Sequence, residues 1–256
     1  MSNKEKFYGV NDSNWGHKWG YKDSGFIINE DLSVTFTGNR YPICGKRLPN
    51  FIPFVEEILG VKFDTKPKIQ EVEKTHVTES RVNEPFLEEL RKSFKENRFT
   101  LEHNERVLHS HGQHSTDEVY KVLYNKLEKF TDLVFYIESE EETKKLIDLA
   151  KKHNVCLIPY GGGTNVTNAL RPPKEESRMV VSVDTRRTNK IESLDEENLM
   201  VVVQAGITGK ALEEGLNKRG FTVGHEPDSY EFSTVGGWVS TNAAGMKKHK
   251  YGNIED

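Results

Sequence analysis

The sequence predicts an α+β fold, with a mixed N-terminal region over residues 1–105 and a more regular domain over residues 106–256. Three observations carry this expectation. Short apolar runs of strand type (LVFYI, VCLIP, MVVSVD and ENLMVVVQAG) alternate with helical patterns in the second part of the chain. The first hundred or so residues instead show aromatics interrupted by glycine and proline. Three consecutive glycines, Gly161, Gly162 and Gly163, come directly after one of the apolar runs.

Taken in order, Trp15, Trp19, Tyr21, Phe26 and Ile28 crowd the beginning, and Gly16, Gly20, Gly25 and Gly38 break it up. This reads as irregular or short-strand structure pinned by aromatics. LSVTFTG alternates partially and predicts a short strand. Pro42, Pro49 and Pro53 punctuate the next stretch, and FVEEILG gives a short helical turn stopped by Gly60. Residues 64–83 are polar and read as a long loop or linker. NEPFLEELRKSF then predicts a short amphipathic helix.

In the second part, DEVYKVLYNKLEKF sets Val119, Val122, Leu123, Leu127 and Phe130 largely on one helical face, with Asp117 as cap or first-turn acid. LVFYI is a strand. SEEETKKLIDLAKKHN is a helix with Ser139 as its cap and Glu142 as the capping-box partner. Leu146, Ile147, Leu149 and Ala150 supply its buried side. VCLIP runs as a strand into the glycines. MVVSVD is a buried strand, and ENLMVVVQAG is another, ended by Gly206. TGKALEEGLNKRG is a helix between Thr208 and Gly220. From Phe221 onward glycine and small residues dominate. There is no internal repeat.

The totals narrow the function classes. With 36 Lys and Arg against 40 Asp and Glu, the net charge of -4 gives no blanket attraction to nucleic acid. The two cysteines, Cys44 and Cys156, form no CxxC pair, which leaves a zinc ribbon unsupported and fits a reducing compartment. Cys156 lies in a strand-like run and reads as core. The first residues carry no apolar signal-type run, and no stretch reaches 18 apolar residues, so the expectation is a soluble chain. Peripheral membrane contact stays open.

Two segments carry the chemistry. In PYGGGTNV, glycines without a Cβ let the backbone approach a ligand, and successive N–H groups can converge on a phosphate or pyrophosphate. Thr164 and Asn165 add side-chain donors. No GK[ST] comes after it, and GxGxxG is not matched, so neither a Walker loop nor a dinucleotide fingerprint is present. A tight turn with no ligand fits the glycines too. In GHEPDSYEFSTVGGWVSTNAAG, Ser233, Thr234, Ser240, Thr241 and Asn242 supply small donors. Gly236 and Gly237 beside Trp238 suggest backbone packing on a flat group. Such a mixture suits a planar polar cofactor, and a solvated loop is the alternative.

The histidines are less specific. His109, His111 and His114 lack HExxH spacing and read better as a polar loop than as a metal site. His225 beside Glu226 does not establish an acid–base pair. Lys247, Lys248, His249 and Lys250 either steer a phosphorylated ligand or face solvent.

These residues resemble a known family. KWGYKDSGF, TGNRYPICG, GKRLPNF, ERVLHSHGQ, LIPYGGGTNV and, most specifically, PDSYEFSTVGGWVST with AGMKKHKYGNIED are similar to the N-terminal part of the alkyldihydroxyacetonephosphate synthases. The resemblance implies the FAD-binding module of the vanillyl-alcohol-oxidase type, with FAD held noncovalently. It implies cofactor contacts from Pro159, Tyr160, Gly161, Gly162, Gly163, Thr164 and Asn165. A second set is Pro227, Asp228, Ser229, Tyr230, Glu231, Phe232 and Ser233, and a third is Ser240, Thr241, Asn242 and Ala243. Asn242 stands where the family commonly has arginine, and Tyr160 where it has isoleucine.

The implied reaction exchanges the acyl group of acyl-dihydroxyacetone phosphate for a long-chain fatty alcohol through a flavin adduct, without net redox change. A homodimer at the luminal face of the peroxisomal membrane is implied too, although no targeting signal is seen. A FAD-dependent 2-hydroxy-acid dehydrogenase and a non-catalytic binding or dimerising protein are the alternatives. The chain is expected to be an incomplete module, lacking the family's catalytic residues. Unpaired sheet edges would then leave it poorly soluble or loosely folded, which a cooperative thermal transition with dispersed amide signals would overturn.

Overall fold

The computed structural model describes residues 19–21, 23–65 and 77–256. Trp15, Gly16 and the middle of the expected linker lie outside these. Near the start, β1 (Phe26–Ile28), β2 (Val34–Phe36) and β3 (Arg47–Leu48) form an antiparallel sheet in that order. β2 is the strand expected from LSVTFTG. α1 (Phe51–Leu59) comes next and stops at Gly60, whose φ of 65° is left-handed. It starts earlier than expected because Pro53 sits in its first turn, where a missing N–H does no harm.

The next elements build the main core. They are α2 (Glu84–Ser93), a 3-10 turn (Glu96–Arg98), β4 (Phe99–Thr100), α3 (His103–Leu108), α4 (Thr116–Leu123), β5 (Leu133–Tyr136), α5 (Glu140–Lys152), β6 (Cys156–Tyr160) and β7 (Val180–Asp184). The sheet order is β4-β5-β7-β6. β7 runs parallel to both β5 and β6, and β4 is antiparallel to β5. α2 and α5 cover the sheet with Phe86, Leu90, Leu146 and Ala150 packed on Leu133, Phe135 and Val181. The expected partition at 105/106 falls within α3, and β4 joins the sheet from its N-terminal side.

A second unit contains the hairpin β8 (Ile191–Asp195) and β9 (Met200–Val203), then α6 (Gly209–Asn217), α7 (Val235–Thr241) and α8 (Lys248–Tyr251). Ile207, Leu212, Leu216 and Trp238 form its core.

Several local expectations need correction. α4 ends at Leu123, because the chain turns through Asn125 at φ 56°. Leu127 and Phe130 still reach Val122, but from non-helical backbone. Ser115 precedes α4 at the cap position, and Asp117 is a first-turn acid. In α5, Ser139 caps the Glu142 N–H as expected, yet the Glu142 carboxylate accepts from the Glu138 N–H and not from that of Ser139. Ile147 is exposed, so the buried stripe is Leu146 and Ala150, with Leu149 at its margin. Cys156 is only half-buried on β6. β9 is not a buried strand: it pairs with β8 alone and leaves Met200 and Val202 exposed. β8 and α7 are additions to the expected elements.

α4 also buries a carboxylate. Glu118 packs against Gly112, where an added Cβ would meet Glu118 Oε2 at 2.6 Å and the Asn165 carbonyl oxygen at 2.9 Å. Burial raises the Glu118 carboxyl, and the Gly112 N–H offsets part of this.

Both the α5 cap and the buried acid are open to measurement. Ser139→Ala should destabilise the protein by about 1 kcal/mol in urea unfolding, the usual worth of an N-cap. A carboxyl raised in the folded state penalises folding as pH climbs above its unfolded value. Glu118→Gln should therefore raise Tm at pH 7.5 by more than at pH 4, and an equal shift at both would contradict the burial argument.

Candidate functional site

β5, β7 and β6 end together, with Tyr136 and Tyr160 both in register with Asp184. The glycine loop leaves from this edge. At Gly162 a Cβ would collide with the Phe232 carbonyl oxygen, and Gly163 adopts φ 72°. Both positions therefore require glycine, one for close approach and one for conformation.

Among the described residues, the backbone N–H groups of 161–165 donate to no protein acceptor. The loop is held from its carbonyl side instead, by the Gln113 N–H donating to the Gly163 oxygen at 2.7 Å. A run of unengaged amides at the end of parallel strands is an anion-binding arrangement. The Asn165 Oδ1 accepts from the N–H groups of Thr167 and Ala169, both at 3.2 Å, so only its Nδ2 is left as a donor. Tyr160 is fully buried below the loop, and burial pushes its hydroxyl up to about 12.

The second segment lies against the first. Gly161 faces Thr234, and Gly162 faces Phe232 and Ser233. Residues 227–233 form a compact turn, with Tyr230 N–H donating to the Pro227 oxygen at 3.0 Å and Ser233 N–H to the Ser229 oxygen at 2.8 Å. Asp228 is exposed, whereas Ser233 is buried and accepts from Trp238 Nε1 at 2.7 Å. The N-terminal region braces this turn. Tyr41 donates its hydroxyl to Glu231 at 3.0 Å, Tyr21 lies beside Phe232, and Trp19 Nε1 donates to the Gln113 oxygen at 2.7 Å. Burial, together with the Glu231 carboxylate, pushes the Tyr41 hydroxyl up to about 12.

The third segment lies at the far end of α7. Thr234 caps that helix by accepting from Gly237 N–H, while Val235 and Gly236 N–H donate to Ile207 and Ala205. Its amides are thus satisfied within the protein. Ser240 and Thr241 donate their hydroxyls to the Gly236 and Gly237 carbonyls, both at 2.8 Å, and keep lone pairs toward solvent. Asn242 closes the helix at φ 51°, a conformation asparagine tolerates. Ala243 N–H donates to the Trp238 oxygen. The seven residues of α7 span about 10 Å at the usual rise, so an elongated ligand can meet all three segments.

The flat group expected beside Gly236 and Gly237 is not what they pack on. Gly236 lies on Ala205, and Trp238 is buried against Gly209. The histidines do not converge. His109 is buried at Asp184, His111 is buried with Nδ1 at 2.7 Å from the Gly112 oxygen, and His114 is exposed. The polar-loop reading is corrected for the first two. His225 packs edge-on to Trp238, and burial lowers its pKa, while Glu226 turns away to Lys247 at 2.5 Å. Lys250 lies over the Tyr251 ring. Among the described residues, no three His, Cys, Asp or Glu side chains are grouped to hold a metal.

Comparison with known proteins agrees with this geometry. Residues 131–256 match the FAD binding domain family. The alkyldihydroxyacetonephosphate synthase of Caenorhabditis elegans is 47% identical over 240 residues, covering 93% of this chain and 39% of the relative. A solved alkyldihydroxyacetonephosphate synthase superposes with a TM-score of 0.85 at 32% identity, covering 95% of this chain and 46% of that one. The mitochondrial D-lactate dehydrogenase [cytochrome] of Kluyveromyces lactis is more distant, at 29% identity over 49% of this chain and 21% of its own. The chain therefore spans about two fifths of the synthase length. With its glycine loop at the end of a parallel sheet and its similarity running along nearly the whole chain, this protein is a homologue of the alkyldihydroxyacetonephosphate synthases and carries a FAD-binding domain.

Proposed function

We propose that residues 159–165, 227–233 and 240–243 hold FAD noncovalently, and that the chain serves an alkylglycerone-phosphate synthase of ether-lipid biosynthesis. In that reaction the acyl group of acyl-dihydroxyacetone phosphate is exchanged for a long-chain fatty alcohol. The row of unengaged amides at 161–165, on a loop packed beside Phe232, Ser233 and Thr234, carries the reading. Among the described residues those donors engage no protein acceptor, which is what a pyrophosphate requires. The hydroxyls of Ser240 and Thr241, fixed by the α7 carbonyls, can accept from the cofactor farther along.

Bound FAD would supply the reactive ring. The chain's own contribution is to bind it, orient it and keep its phosphates on fixed dipoles. Homodimerisation, peripheral membrane contact and a peroxisomal setting belong to the same proposal and rest on the resemblance. A FAD-dependent 2-hydroxy-acid dehydrogenase is the second reading, motivated by the D-lactate dehydrogenase similarity.

Adding FAD and passing the protein through gel filtration should leave a structured visible flavin band. Gly162→Ala should lose that band, because the methyl would collide with the Phe232 carbonyl. Bleaching of the flavin by the acyl substrate without reduction would support the synthase. Reduction by D-lactate would support the dehydrogenase, and a colourless wild-type protein would contradict the assignment of the three segments.

A further inference from the structure

A buried charged cluster lies under the glycine loop. β7 ends at Asp184, whose carboxylate accepts from Arg186 Nε at 3.0 Å, from the Arg186 backbone N–H at 2.9 Å and from Arg186 Nη2. His109 Nε2 lies 3.0 Å from the same carboxylate. His109 Nδ1 lies 2.8 Å from the Glu105 carbonyl oxygen, so each ring nitrogen faces an oxygen acceptor. His109, Asp184 and Arg186 are 0%, 2% and 9% exposed, which removes solvent as a partner. Burial alone would raise the Asp184 carboxyl, but the Arg186 guanidinium and the His109 contact hold it well below the usual carboxylate range.

Tyr160 connects this cluster to the loop. Its ring centroid lies 4.6 Å from that of His109 and 5.0 Å from the Arg186 guanidinium carbon. Its hydroxyl donates to the Leu108 oxygen at 3.4 Å and stands where a Cβ on Gly163 would fall. The ring is thus the floor of the loop, and Asp184 is its neighbour on the last rung of the sheet. A buried ion pair is a poor source of stability, since apolar residues of equal volume serve as well. What directional hydrogen bonds add is a fixed geometry.

We infer that Asp184, His109 and Arg186 are positioning residues for the cofactor loop, fixing the Tyr160 ring and through it the direction of the 161–165 amides. This rests on the proposal that the loop receives the FAD pyrophosphate. A loop on a loose floor keeps every donor but must order itself on binding, and affinity falls accordingly.

The test compares His109→Leu, which removes both ring contacts, with His109→Gln, which retains a donor for Asp184. FAD affinity is read by flavin fluorescence, folding by thermal melting, and the loop by amide NMR of Gly161, Gly162 and Gly163 without FAD. His109→Leu is expected to melt cooperatively, to weaken FAD binding about tenfold and to broaden the three glycine signals, while His109→Gln stays within about threefold. A folded His109→Leu protein with unchanged glycine signals and FAD affinity within about twofold would overturn the inference. Should His109→Leu fail to fold, Tyr160→Leu removes the floor itself, and the same outcomes decide. A wild-type protein that binds no FAD would overturn the proposed function instead, and the glycine signals of the apo protein would still report whether the cluster sets the loop.

Discussion

The backbone of the loop after β6 packs directly against the turn before α7, because its glycines put no side chain of their own between them. A single methyl at Gly162 would overlap the Phe232 carbonyl, and one at Gly161 would meet Thr234 Oγ1 at 2.5 Å. The atoms that meet are mostly backbone and hydroxyl, so the approach is not driven chiefly by its own hydrophobic gain. It is imposed by the cores on either side. Leu133, Phe135 and Val181 fix where β6 and β7 end, while Leu212, Leu216 and Trp238 fix where α7 begins. The isolated bridge between Thr208 and Thr234 then ties the second core to the same turn.

The polar layout depends on that contact. The strand ends leave Tyr136, Asp184 and Tyr160 side by side, and the loop rises above them. Asp184 is also joined to the α3 terminus through His109, so helix, sheet and loop share one hydrogen-bonded junction. The N-terminal aromatics close the other side. Trp19, Tyr21 and Tyr41 touch Gln113, Phe232 and Glu231, each of which adjoins the loop or the turn. The N-terminal region thus acts on the candidate site as a brace, although its small sheet lies outside the main core.

Legibility in the sequence tracks how local the cause is. β5, β6, β7, α2 and α5 are readable because apolar runs, helical periodicity and caps such as Ser139 act within a few residues. β8 is not, because IESLD mixes apolar and charged residues on a strand exposed along much of its length. α7 is hidden by Gly236 and Gly237, which lower helix propensity; Gly236 is needed because Ala205 lies 2.9 Å from the place its Cβ would take. The glycine loop is recognisable as a tight turn leaving a strand, but the reason for Gly162 is not. It lies in Phe232, seventy residues away in sequence. The cluster under the loop is equally invisible, since His109 and Asp184 come together only through the sheet. The marks they leave are weak: an acid closing the apolar run MVVSVD and a histidine shortly before a glycine.

Holding a cofactor and carrying out chemistry on it place different demands on a chain, and the site proposed above answers the first in a particular way. Its donors to an anion are main-chain amides, whose direction depends on fold and not on side-chain protonation. Two titratable groups under the loop are engaged internally, Asp184 by Arg186 and His109, and Tyr160 by burial and its bond to the Leu108 oxygen. None of these is free to exchange protons with a substrate. The hydroxyls of the third segment are likewise tied to α7 carbonyls. The arrangement therefore favours rigid orientation of a bound dinucleotide over acid–base work by the same residues. That division fits a reaction in which the cofactor supplies the reactive atoms and the protein's FAD-binding part supplies their placement.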